Sequence, residues 1–164
     1  CKETFFPTSI LLRSPEFGEE MMHLSAANGF YTLKGYQLIE SDELTPAMQD
    51  YLEMIYRLSA NSSIVRISTL AAELHVRPSS ASKMASNLAE AGYILFARYG
   101  YIRLAEKGQE TGRYLLHRHE VIHRFLCLAN HTTDELKQTE KIEHFLDFRT
   151  VRNLEALCER LKEK

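Results

Sequence analysis

No two cysteines of this chain stand close together. Cys1, Cys127 and Cys158 are odd in number, widely spaced and without a CxxC pair. That argues against a disulfide framework and against a thiolate zinc site, and it fits a reducing cytoplasm. No apolar run approaches the roughly 18 residues that a helix needs to cross a bilayer, so no membrane segment is expected. The opening stretch, Cys1 to Leu12, holds an apolar patch but lacks a basic lead-in and a clear cleavage site, against a secretory signal. Internal repeats and low-complexity tracts are missing too. What is present is 45% hydrophobic and 26% charged residues, the balance of a folded globular chain rather than a disordered one. A length of 164 residues suffices for two small domains and little more.

The formal net charge of -2 conceals an uneven distribution. Residues 1–60 carry nine acids and four bases, whereas residues 66–118 carry four acids (Glu73, Glu90, Glu106, Glu110) and eight bases. A basic segment suits docking on a phosphate backbone. Acid concentrated elsewhere is available to a cation.

Residues 1–43 are weakly patterned. Phe30, Tyr31, Leu33, Tyr36, Leu38 and Ile39 suggest a short arm, and Met21 and Met22 are both candidate starts. Thr45-Pro46 then opens a helix, 46–59, by a hydroxyl cap followed by proline at the first position. Met48, Tyr51, Leu52, Ile55 and Leu58 share one face of it. Asp50, Glu53 and Arg57 fall opposite, which predicts that the two acids are not core residues. A turn at Asn61-Ser62-Ser63 precedes a short extended piece, Ile64–Ile67. Ser68 is the expected cap of a helix from Thr69 to His75, and the turn Val76-Arg77-Pro78-Ser79 leads into a second helix reaching about Ala91. Met84, Leu88 and Ala91 form its expected stripe, and Gly92 ends it as a left-handed cap. Two short helices joined by a turn of about three to four residues are the helix-turn-helix signature. Tyr93–Ala97 and Tyr101–Leu104 alternate like strands about Arg98-Tyr99-Gly100, a basic hairpin that reads as a wing.

Beyond the wing, the pattern predicts a helix from Glu106 to Ala129, a break at His131-Thr132-Thr133, a helix from Asp134 to Phe148 and a last one from Thr150 to Lys164. Val151, Leu154, Leu157 and Leu161 recur on the last helix and read as a dimer interface rather than internal core. Cys127 and Cys158 lie on apolar stripes, as small buried hydrophobes do. The fold class expected is therefore mainly α. A winged helix-turn-helix domain at 44–105 follows an N-terminal extension, 1–43, and precedes an all-helical dimerisation and metal-binding domain, 106–164.

Six oxygen and nitrogen donors stand on helical spacing: Asp50 with Glu53, His119, and Glu140 with Glu143 and His144. Residues i, i+3 and i+4 are neighbours on a helix, so each set can form a chelating patch. Four carboxylates and two imidazoles, with no thiolate, suit a hard-to-borderline divalent ion such as manganese(II). His119 has rivals in His117 and His123, because the 119/123 pair is itself metal-ligand spacing on a helix. The Glu140-x-x-Glu143-His144 stretch also suggests a di-metal carboxylate bundle enzyme, but that architecture needs two Glu-x-x-His repeats and only one is found. For the reader helix, Arg77, Ser79, Ser80, Ser82 and Lys83 lie in the half that enters the major groove. Arg98, Tyr99 and Arg103 in the wing, and Lys107 beyond it, are expected backbone contacts. Metal donors on both sides of a DNA reader point to a metal-controlled transcription factor, not an enzyme.

Four stretches in this order resemble the diphtheria-toxin-repressor family: Thr45-Pro-Ala-Met-Gln-Asp-Tyr-Leu-Glu-Met-Ile-Tyr56, Val76-Arg-Pro-Ser-Ser-Ala-Ser-Lys-Met84, Arg118-His-Glu120 and Glu140-Lys-Ile-Glu-His144. Within it the manganese-transport-regulator branch is the most similar, over residues 44–164. The resemblance implies a homodimeric, cytoplasmic winged-helix repressor that binds double-stranded operator DNA upstream of metal-uptake genes. It implies two manganese ions per subunit on Asp50, Glu53, His119, Glu140, Glu143 and His144, between the first helix and the dimerisation domain. Iron(II), zinc, cobalt or cadmium would be substitutes, with an iron- or zinc-responsive regulator as the alternative reading. The iron-responding branch has methionine in place of Asp50 and cysteine in place of Glu140. Harder carboxylates here favour manganese. That branch also carries a longer C-terminal domain, for which this chain is too short.

Overall fold

Thr45 and Pro46 open the first helix as the sequence predicts. Thr45 Oγ1 accepts the Met48 N–H at 3.3 Å, and Pro46 occupies a first-turn position that needs no N–H. This is α1 (Pro46–Ser59) of a computed structural model that describes residues 44–162. The arm read from Phe30 to Ile39, and Cys1, lie outside the described residues. There follow β1 (Val65–Arg66), α2 (Ile67–Glu73), α3 (Pro78–Glu90), β2 (Ile94–Ala97), β3 (Tyr101–Leu104), α4 (Glu106–Asn130), α5 (Leu136–Ile142) and α6 (Phe148–Lys162). Short 3-10 turns fill Arg98–Gly100 and Glu143–Phe145.

The sheet is antiparallel, in the order β1-β3-β2, with Val65 opposite Ile102 and Phe96 opposite Ile102 on the other side. The hairpin is thus the expected wing. Arg66, paired with Tyr101, stays extended and carries the chain straight from β1 into α2. Helix α2 therefore begins at Ile67 without a side-chain cap, and Ser68 lies inside it instead of capping it.

Three helices stop in the same way. His75 (φ 52°), Gly92 (φ 78°) and His131 (φ 55°) take left-handed backbone after α2, α3 and α4. In each case the next N–H reaches back across the end: Val76 to the Ala71 carbonyl at 2.9 Å, Tyr93 to Leu88 at 2.9 Å, and Thr132 to Cys127 at 3.0 Å. That pattern satisfies carbonyls which a helix end otherwise leaves unpaired. The break expected at His131 is one of these.

Leu52 and Ile55 of α1, Leu70 of α2, Leu88 of α3 and Ile102 of β3 are fully buried together. Each contributes roughly 1.5–3 kcal/mol over leaving it in water. The inward stripe of α3 is Ala81, Ala85 and Leu88 with Met84 half-buried. Ala91 is the helix cap rather than a stripe member, because the left-handed Gly92 turns the chain there.

Helix α4, 25 residues and so about 37 Å long, is the spine of the described unit. Its first half packs on α1 and the wing; its second half packs on α6. Gly108 and Gly112 make the first contact possible. A β-carbon at Gly108 would lie 1.8 Å from the Tyr93 carbonyl oxygen, and one at Gly112 would lie 2.7 Å from Tyr56 Cβ.

Two expectations for the C-terminal half are corrected. The helix expected over Asp134–Phe148 ends at Ile142, and Glu143 and His144 stand on the following 3-10 turn. Asp147 is the reason: its Oδ1 accepts the Thr150 N–H at 2.7 Å and starts α6, so Leu146 before it must be extended. The Thr150 side chain, together with that backbone bond, holds the Asp147 carboxyl below the usual carboxylate range. The α6 stripe read as a dimer interface is internal in half of its residues: Val151 is buried with Val121 and Ile122, and Leu154 packs against them. Cys158 is fully buried, Cys127 is half-buried, and Leu161 remains exposed.

Candidate metal centre and reader face

Glu53, expected on a solvated face, is buried at 8% exposure, and Glu143 is buried at 2%. The face of α1 opposite Leu52 is only partly in water, because Glu53 on it is covered by α4 and the turn after α5. There the acids line a cavity of about 200 Å³ with Met54, Arg57, Leu74, His119 and Leu136. Glu143 is at its centre. One oxygen, Oε2, is 3.1 Å from His119 Nδ1; the other, Oε1, is 3.9 Å from His144 Nε2. Asp50 Oδ1 lies 2.9 Å from His144 Nε2, and Glu53 Oε1 lies 3.9 Å from His119 Nδ1. Donor atoms of Asp50, Glu143 and His144 come within 4.8 Å of one another, and so do those of Glu53, His119 and Glu143. The two groups share Glu143. Glu140 stands at the mouth, largely exposed, with Oε1 3.8 Å from His119 Nδ1.

Electrostatics agree with a site that draws positive charge. The Glu143 hydrogen bond raises the His119 imidazole above its ordinary value, against the opposing effect of burial. Partial burial and the Glu143 carboxylate raise Glu140 above the usual carboxylate range. Burying a carboxylate without compensation is costly, and oxygen and imidazole donors around a part-buried space are the chemistry a hard divalent cation needs. The donor set fits such an ion.

The histidine rivals are placed elsewhere. His117 pairs with Glu155 of α6 at 3.4 Å. His123 Nε2 accepts the Glu135 N–H at 3.2 Å in the turn after α4. Three polar residues that the sequence did not single out as functional surround the cluster. Arg57 Nε bonds Glu53 Oε1 at 2.9 Å, an i,i+4 pair visible in the sequence. Gln49 and Arg118, both buried, bond each other at 2.9 Å, and both lie against His144 Nδ1, at 3.1 and 3.3 Å. Nothing in the sequence pairs residues 49 and 118, since only the packing of α1 on α4 brings them together.

On the reader face, Arg77, Ser79, Ser80 and Lys83 are exposed at the start of α3, and Ser82 is half-buried. Helix α3 opens on Pro78 with no side-chain cap, so the same end of the helix also carries the N–H groups of a helix start. Tyr99 is 95% exposed at the wing tip, in the same 3-10 turn as Arg98, and Arg103 projects outward from β3. Lys107 lies with Nζ 4.2 Å over the Tyr93 ring and 3.5 Å from the Ala91 carbonyl.

Comparison with known proteins accords with this architecture. Residues 43–102 match the family described as iron dependent repressor, N-terminal DNA binding domain. The HTH-type transcriptional regulator MntR of Lysinibacillus sphaericus (strain C3-41) is 34% identical over 120 residues, 73% of this chain and 86% of that one. MntR of Bacillus subtilis (strain 168) is 32% identical over 120 residues, 73% of this chain and 84% of that one. Among solved structures, the manganese regulator SloR matches with a TM-score of 0.62 at 25% identity, over 71% of this chain. The chain spans 55% of the length of that solved protein. The relatives are named as transcriptional regulators, so the di-metal enzyme reading falls away. With a winged helix-turn-helix domain and relatives aligned over most of their length, the chain belongs to the manganese-transport-regulator branch of the diphtheria-toxin-repressor family, metal-dependent regulators of transcription.

Proposed function

We propose that this chain is a manganese-dependent repressor. It acts as a cytoplasmic homodimer that holds two ions per subunit and binds double-stranded operator DNA ahead of metal-uptake genes. The reader is region 44–105; region 106–164 supplies most of the metal ligands and the dimer contact. The observation that carries the reading is Glu143, a buried carboxylate whose two oxygens face two imidazoles on two overlapping donor groups. Asp50, Glu53, His119, Glu140, Glu143 and His144 would hold the ions. Bound there, manganese supplies positive charge at oxygen and nitrogen donors that suit it.

The residues do the mechanical work. Asp50 and Glu53 ride on α1, in the reader, while His119 rides on α4, and Glu143 and His144 on the turn after α5. Without counter-charge, close carboxylates repel by roughly 1–4 kcal/mol per pair, and α1 is held loosely against α4. With the charge balanced, the same side chains clamp α1 to both, fixing the reader on its support. In a dimer the two α3 helices are then held near the spacing of successive major grooves, roughly 34 Å. Exposed Phe145 and Leu161 supply apolar surface for a second copy. Restricting a mobile reader raises affinity by removing an ordering cost from DNA binding. By reciprocity, operator DNA tightens metal binding equally.

An electrophoretic shift on the chain's own promoter region, with and without manganese, tests the reading. A retarded complex is expected with manganese and little without; equal binding in both lanes would sink it. Asp50→Met tests the choice of ion. A thioether in place of a carboxylate softens the site and shifts the response towards iron(II). Anaerobic titration with manganese, iron, zinc and cobalt measures this, and unchanged discrimination counts against donor hardness as the selector.

A further inference from the structure

Arg57 is a cation already inside the candidate centre. Its Nε and Nη2 lie 2.9 and 2.5 Å from Glu53 Oε1, a fork closing on one oxygen. That oxygen, Oε1, is the one placed 3.9 Å from His119 Nδ1, so the guanidinium and any ion held by Glu53, His119 and Glu143 draw on the same electron pairs. Arg57 also lines the cavity wall. Its side chain is 38% exposed and reaches inward from the rim, whereas that of Glu53 is only 10% exposed.

An i,i+4 ion pair on a helix usually does no more than add a few tenths of a kcal/mol to that helix. Two features set this one apart: the carboxylate is buried between α1 and α4, and the oxygen engaged is the inward one. Arginine stays protonated at all relevant pH values, so its charge opposes a dication at any pH.

We infer that Arg57 is a built-in competitor for the metal: it neutralises Glu53 in the ion-free chain and raises the manganese concentration at which the centre fills. This rests on the metal-centre reading above. In the ion-free state Arg57 supplies counter-charge where carboxylates would otherwise face one another, which keeps the reader seated but not clamped. On filling, Glu53 exchanges a monovalent partner for a divalent one, and the guanidinium swings out through the open rim. The threshold is then set by a difference between two cations at one oxygen rather than by ligand count alone.

The test is manganese titration of the whole chain by calorimetry, with melting curves at each metal level. Arg57→Met keeps the stem that covers the rim and removes the charge. Removing a unit charge beside a dication in a partly solvated site is expected to tighten manganese binding about ten-fold. The ion-free melting temperature falls, and the manganese-induced rise in it grows. Arg57→Lys keeps the charge and stays near wild type, which separates charge from packing. Unchanged or weaker binding by Arg57→Met overturns the inference, the weaker result marking Arg57 as a residue that orients Glu53. Should Arg57→Met fail to fold, Arg57→Gln is held to the same standard. A wild-type chain that binds no manganese overturns the metal-centre reading as well, whereas normal wild-type binding with no gain in the variant overturns only the role of Arg57.

Discussion

Glu143→Gln is expected to abolish the manganese-dependent gain in operator affinity while leaving a folded protein. The substitution keeps the volume of a side chain that is almost completely buried and removes its charge. Both donor groups contain Glu143, so one change strips a charged ligand from each, which no other described residue does. Loss of the charge also weakens the 3.1 Å bond that orients His119 Nδ1 towards the cavity. If metal and DNA are coupled to the usual extent, the forfeited factor is about 5–150-fold in operator affinity. Fluorescence anisotropy across a manganese series measures it, with a melting curve as the control for folding. In the ion-free protein the variant should melt no lower than wild type, because a crowded carboxylate has been neutralised. Wild-type repression by Glu143→Gln at every manganese level would mean that the shared carboxylate is not part of the switch.

Gly108→Ala is expected to be the most damaging alanine substitution among the described glycines. The added β-carbon would sit 1.8 Å from the Tyr93 carbonyl oxygen, a backbone atom that cannot rotate away. That same oxygen accepts the Ala105 N–H at 3.0 Å, so relief by moving the strand would break the bond that leads β3 into α4. Overpacking of this kind costs about 1–3 kcal/mol or more, and each kcal/mol lowers the melting temperature by about 2–4 °C in a domain of this size. The consequence reaches the metal centre, because α4 carries His119 three turns beyond Gly108. Tilting the helix off the wing shifts that imidazole relative to Glu53 of α1, so manganese affinity should fall along with stability. Gly112→Ala, against Tyr56 Cβ at 2.7 Å, should be milder because the approach is less close than the 1.8 Å at Gly108, although a β-carbon is held by its backbone and cannot rotate away. Equal melting temperatures for Gly108→Ala and wild type would show that the α4–wing contact is looser than these distances imply.

The sequence reads well where the cause is local. Thr45-Pro46, the stop at Gly92, the hairpin about Tyr99 and the extended piece at Val65 each depend on a few neighbouring residues, and each is found as read. It reads less well where two local signals compete. The helical pattern through Glu140, Glu143 and His144 continues on paper to Phe148, yet Asp147 caps the next helix and ends it early. Opposite faces of α1 mislead in another way: apolar spacing marks Leu52 and Ile55 as core, but says nothing of a second partner behind Glu53.

By itself, the order of residues determined most of the reader, where capping chemistry, apolar periodicity and turn residues act over three or four positions. The start of α2 needed a distant partner, the pairing of Arg66 with Tyr101. It also supplied the donor types, and hence the hardness of any ion they would hold. Tertiary packing alone decided that Glu143 faces two imidazoles at once, that Gln49 meets Arg118, and that Arg57 shares an oxygen with the cavity. Those contacts join residues tens of positions apart, or choose between the two oxygens of one carboxylate. Both depend on the approach of α1 to α4 that Gly112 permits against Tyr56, a distance no local rule encodes.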